Sequence, residues 1–123
     1  MTRLLAALLL LAAPAWAEEG DARRGEAVFQ RCYACHAVDP AEGSLQGPNL
    51  HGVVGRAAGA AEGFGYSEAL KAAAARGLAW TPDAINQFVA DPRAMLPGTA
   101  MGFVGLRSAQ DRADLLAYLG QQK

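Results

Sequence analysis

Cys32-Tyr33-Ala34-Cys35-His36 is the stretch on which the reading of this chain turns. Two cysteines this close make poor staples, because a disulfide between them would close a tiny loop and constrain little of the unfolded chain. A C-x-x-C pair also suits a thiol redox centre, but that chemistry sits in a β-α-β context, and no convincing strand surrounds it here. A structural zinc site wants four ligands, and beyond these three only His51 remains as a nitrogen donor. C-x-x-C-H, however, is the attachment signature of a c-type haem. Each thiol adds to one vinyl group, and the two thioether links fix one edge of the porphyrin to the backbone. The adjoining imidazole then lies under the iron and can coordinate it.

The segment upstream has the marks of an export leader. Arg3 supplies a positive start, Leu4 to Ala13 is an unbroken apolar run, and Ala15-Trp16-Ala17 is a small-x-small cleavage site. The run falls well short of the roughly 20 apolar residues that span a bilayer, and no cysteine follows it to carry a lipid. The expectation is a signal peptide over 1–17, cleaved to leave one domain over 18–123, and a periplasmic protein without stable membrane insertion. Loss of Arg3 takes the basic count from 11 to 10 against 12 acidic side chains, a mature charge of about −2.

With 123 residues, 52% hydrophobic and 19% charged and without an internal repeat, the chain has room for one ordinary globular domain. Aromatic residues are only 7%. A domain of this size built largely from Ala, Leu and Gly buries a modest core, which leaves something besides side chains to help hold it together. A net charge of −1 and the lack of a basic stripe argue against nucleic-acid binding.

Local patterns describe an all-α chain. Asp21 to Cys32 carries Ala22, Gly25, Val28 and Phe29 at helical spacing. Ser67 to Ala75 ends in an alanine run of strong helix propensity. Thr81-Pro82 reads as an N-cap followed by proline at the first helical position; Ile85, Phe88 and Val89 continue the stripe, and Pro92 ends it. Ser108 caps a last helix to Leu119, with Leu115, Leu116 and Leu119 on one face. Pro97-Gly98 forces a turn between these two helices. Val53-Val54 is too short, and too hemmed by glycines, to be a strand.

A second axial ligand is expected downstream, and His51, Met95 and Met101 are the candidates. The chain resembles the class I cytochromes c, in the branch of mitochondrial cytochrome c and its small bacterial counterparts, from about Gly20 to Leu119. The resemblance is carried by Gly25 with Phe29, Gly47-Pro48-Asn49-Leu50-His51-Gly52, Gly55-Arg56, Gly63-Phe64-Gly65-Tyr66-Ser67, Trp80-Thr81 and Pro97-Gly98-Thr99-Ala100-Met101. It implies the cytochrome c fold, about four to five short helices and loops around one covalent haem c. It also selects Met101, which follows Pro-Gly-Thr, as the iron ligand opposite His36, with His51 turned away and Met95 left to packing. By the same resemblance the Pro48 carbonyl accepts from His36, and Arg56, Tyr66, Trp80 and Thr99 serve the haem propionates. Gly25 is implied to let Tyr118 of the last helix cross closely.

Two departures from the family pattern stand out. Phe88 replaces a common tyrosine and Leu70 a frequent asparagine, which implies a drier pocket on the methionine side. Lysines are scarce, with only Lys71 and Lys123, leaving Arg31, Arg93 and Arg107 as basic residues near the expected haem edge. A soft thioether opposite histidine favours Fe(II) and raises the potential, and a saturated iron has no open position for substrate. The expected function is therefore electron carriage, not enzymatic catalysis. A monomeric shuttle would dock transiently at the haem edge, between a quinol-oxidising complex or dehydrogenase and an oxidase, reductase or photosynthetic centre. The alternatives are a dedicated haem subunit of one periplasmic redox enzyme, a haem peroxidase or gas-binding protein, and, most remotely, a non-haem thiol redox protein.

Overall fold

The computed structural model describes residues 19–123, so the expected signal peptide over 1–17 lies outside the described residues. Helices follow in the order α1 (Ala22–Phe29), α2 (Glu68–Ala75), α3 (Pro82–Ala90), α4 (Pro92–Met95) and α5 (Ala109–Gly120). Each starts on a side chain able to satisfy a free backbone N–H. Asp21, Ser67, Thr81, Asp91 and Ser108 accept from Arg24, Leu70, Ala84, Ala94 and Asp111, each three residues on. A cap of this kind contributes about 1 kcal/mol.

Two boundaries differ from the sequence expectation. The first helix stops at Phe29 instead of reaching Cys32, because Gln30, Arg31 and Cys32 donate to carbonyls three residues back at 3.3, 3.1 and 2.7 Å. This tighter winding turns the chain at the cysteine pair, and His36 N–H then closes onto the Cys32 carbonyl at 2.9 Å. The second difference is α4. Pro92 does end α3, but it also starts a new turn of helix, since Asp91 caps it just as Thr81 caps α3. Among the described residues the one extended pairing is an isolated bridge between Ala57 and Ala79.

The terminal helices α1 and α5 pack on each other through Gly25. A Cβ placed there would run into the Asp114 carbonyl and lie 2.7 Å from Tyr118 Cβ. Phe29 and Tyr118 then meet with ring centroids 5.3 Å apart. Asp114, only 2% exposed, locks the crossing. Its carboxylate accepts from Asp21 N–H at 2.8 Å, Arg24 Nε at 2.9 Å, a second Arg24 nitrogen at 3.1 Å and Gln110 at 2.9 Å. These partners hold Asp114 at a pKa of about 2, Arg24 foremost. Leu115 and Leu119 are buried beside it, while Leu116 is only half-buried, so Asp114 takes part of the face assigned to leucine. Phe29, Ile85, Phe88, Leu106, Leu115 and Leu119 form the centre of the core.

Candidate functional site

A cavity of about 520 Å³ is walled by the turn after α1, the loop before α2, α3 and the segment after α4. That volume lies within the ordinary range for cofactor sites. All nine residues singled out from the sequence contribute to its wall: Cys32, Cys35, His36, Pro48, Arg56, Tyr66, Trp80, Thr99 and Met101. Leu50, Val53, Leu70, Ile85, Phe88 and Phe103 make much of the remainder apolar. A smaller hollow of about 330 Å³, between Tyr33 and Leu45, shares only His36 with it.

His36 is fixed by its neighbours. Its Nδ1 lies 2.8 Å from the Pro48 carbonyl oxygen. That oxygen can only accept, so Nδ1 carries the proton and Nε2 keeps its lone pair. Burial lowers the pKa of His36 while the bond to Pro48 opposes the shift, and the ring is left in the neutral form that binds metals. Gly47 makes the arrangement possible. A Cβ there would lie 2.6 Å from Nδ1 and 2.8 Å from Nε2 of the imidazole. The motif containing Gly47 was legible in the sequence, but this contact was not.

Burial pushes the Cys32 thiol up to about 11. A redox-active C-x-x-C cysteine needs the opposite, a depressed pKa and a ready thiolate. The two cysteines are unpaired.

Arg56 supplies a test of what the cavity suits. One terminal nitrogen donates to the carbonyls of Asn49 and His51, both at 3.1 Å. Its Nε is buried and has no partner. An orphaned guanidinium N–H in a cavity wall fits a ligand that brings carboxylates, because a buried donor without a partner is costly. The Tyr66 hydroxyl accepts from Ala61 N–H at 2.9 Å, which leaves its own proton to donate. Thr99 Oγ1 accepts from Met101 N–H at 3.3 Å and is likewise free to donate. With two thiols, a neutral imidazole and a thioether on the same wall, the donor set fits a haem, whose propionates Arg56 could pair.

The other candidates fall elsewhere. His51 donates from Nδ1 to the Val38 carbonyl at 3.1 Å, and Met95 packs against the core; neither joins the wall. Phe88 lines the cavity and meets Trp80 at a tilt of 44° with centroids 5.1 Å apart. Of the arginines placed near the haem edge, Arg31 reaches the wall and pairs with Asp111 at 3.4 Å. Arg93 and Arg107 do not reach it.

Comparison with known proteins places this geometry. The family model for cytochrome c matches residues 22–123. The chain is 41% identical to cytochrome c2 of Blastochloris viridis, over 98% of this chain and 94% of that relative. It is 43% identical to cytochrome c of Stellaria longipes, over 83% and 93% of the two chains. The solved structure of cytochrome c2 from Rhodospirillum centenum superposes with a TM-score of 0.81 at 42% identity, covering 85% of this chain and 99% of that one.

Proposed function

This chain belongs to the class I cytochrome c family, in its cytochrome c2-like branch, and from that premise we infer a single-electron carrier whose haem is held by Cys32 and Cys35 and ligated by His36 and Met101. The family consists of electron carriers, not enzymes, and its haem c is covalently attached. When bound, the haem supplies an iron that cycles between ferrous and ferric states. The residues around it do the rest. His36 presents Nε2, oriented by the Pro48 carbonyl. Met101 brings a soft sulfur that favours the ferrous state. Arg56, Tyr66, Trp80 and Thr99 pair or neutralise the propionates, and the apolar side chains Leu70, Phe88 and Phe103 exclude water.

The convergence of all nine sequence-selected residues on one cavity carries this reading. Among the described residues no helix is long and apolar enough to cross a membrane. The leader over 1–17 would direct the domain over 18–123 to the periplasm. There it would work as a monomer, docking transiently on redox partners at the exposed haem edge. Spectroelectrochemical titration of the haem-loaded protein tests the function. A reversible one-electron transition with no carbon monoxide binding at neutral pH is expected, whereas rapid binding to a five-coordinate iron would point to catalysis or gas sensing.

A further inference from the structure

The segment that carries Met101 is hydrogen-bonded at its two ends and held between them by the packing of Met101 and Phe103 against the core. At its start, Gly98 turns the chain at φ +86°, and Thr99 N–H donates to the Leu96 carbonyl at 3.0 Å. From Gly102 to Gly105 no backbone group exchanges a hydrogen bond with another described residue. At the far end the segment is caught again. Gly105 presses its backbone against the Ala90 carbonyl, leaving no room for a side chain. Leu106, 1% exposed, donates to the Val89 carbonyl at 2.7 Å.

Arg112, projecting from α5, completes that far fastening. One guanidinium nitrogen donates to the carbonyls of Leu106 at 2.7 Å and Arg107 at 3.1 Å. Its Nε donates to Asn86 Oδ1 of α3 at 2.8 Å. No carboxylate pairs with it among the described residues. Its donors go to neutral oxygens that only this closed arrangement of α3, α5 and the loop brings together.

We propose that Arg112 is a positioning residue for Met101, setting how firmly the loop holds the sulfur against the cavity. The inference rests on Met101 being the axial ligand. Releasing the sulfur requires moving Gly102–Gly105, which have no hydrogen bonds of their own to lose. The cost of opening therefore falls on the apolar packing of Met101 and Phe103 against the core and on the fastenings, of which those of Arg112 are charge-assisted, roughly twice as strong as neutral ones. Losing one such bond from the closed arrangement alone shifts the open-to-closed ratio severalfold, and losing the Arg112 bonds together shifts it roughly tenfold.

Imidazole titration of the ferric haem-loaded protein reads this ratio, since exogenous imidazole takes the iron only when the sulfur leaves. Loss of the sulfur–iron absorption band follows the displacement. Arg112→Met should bind imidazole roughly tenfold more tightly than wild type, with Arg112→Lys and Asn86→Ala between them. Arg24→Met, which cuts the α1–α5 tie at Asp114, should unfold more easily yet bind imidazole as wild type does. An Arg112→Met affinity within about twofold of wild type would overturn the proposal, as would an equal rise in Arg24→Met. Should Arg112→Met not fold, flat results from both Arg112→Lys and Asn86→Ala overturn it instead. Met101→Ala separates the two levels. If the band persists there, the ligand assignment fails; if it vanishes there while the Arg112 series stays flat, only the positioning role fails.

Discussion

Replacing Gly25 with alanine sets two opposing effects against each other inside α1. Alanine is the better helix former by about 1 kcal/mol, so propensity alone favours the change. Sterics oppose it. The new Cβ would collide with the Asp114 carbonyl and sit 2.7 Å from Tyr118 Cβ, whereas carbons pack at about 3.5–4.0 Å. Helix α5 would have to withdraw by roughly 1 Å. The Asp114 bonds to Asp21 N–H at 2.8 Å and Arg24 Nε at 2.9 Å would then exceed the useful limit of about 3.5 Å. Overpacking of this severity lies at the upper end of a range of about 1–3 kcal/mol. Subtracting the propensity gain of about 1 kcal/mol leaves a loss of about 2 kcal/mol. For a domain near 100 residues that is a fall in melting temperature of roughly 8–16 °C. Gly120→Ala in the last turn of α5 is the matched control, because its Cβ meets nothing within 4 Å. It should be neutral or stabilising by up to about 1 kcal/mol. Thermal unfolding of the two haem-loaded variants decides the matter, and a Gly25→Ala protein as stable as wild type would refute the crossing argument.

Two other substitutions probe separate features. Asp114 titrates at about 2 in the folded chain against an ordinary 3.8, so its contribution is present above about pH 4 and is lost as pH falls through 2. Asp114→Asn should therefore be less stable than wild type at pH 7, with the gap narrowing on acidification below pH 4. Denaturant titrations at several pH values measure this, and a constant gap would contradict it. Gly47→Ala drives a methyl into the His36 ring and should cost about 1–3 kcal/mol of holoprotein stability. Gly43→Ala, where a Cβ meets nothing within 4 Å, should stay within about 0.5 kcal/mol of wild type; equal losses in the two would refute the contact.

Much of the fold was legible because its signals are local. Thr81-Pro82 and Ser108 announce their helices through capping chemistry confined to three or four residues, and the alanine run Ala72 to Ala75 announces α2 through propensity. Asp91-Pro92 carries the same signal as Thr81-Pro82, yet proline read as a terminator hid the start of α4. The end of α1 is hidden in the sequence because apolar spacing runs on through Cys32, while the hydrogen bonds tighten after Phe29. Asp114 and Arg112 were invisible for a different reason. A lone charge on a helix reads as solvated, and their partners Arg24 and Asn86 lie 90 and 26 residues away. The site residues came from motif resemblance, whereas the orphaned Nε of Arg56 and the contact between Gly47 and His36 needed the folded chain.

With His36 and Met101 as the two proposed iron ligands, no position would be left open for substrate and the chain would be suited to carrying electrons. The absorption spectrum of the ferric haem-loaded protein, recorded for wild type, Met101→Ala and Met95→Ala, tests this ligation most directly. The sulfur–iron band should be present in wild type and Met95→Ala and absent in Met101→Ala, whose iron then binds exogenous ligands. A band that survives Met101→Ala, or disappears in Met95→Ala, would rule out Met101 as the sulfur ligand.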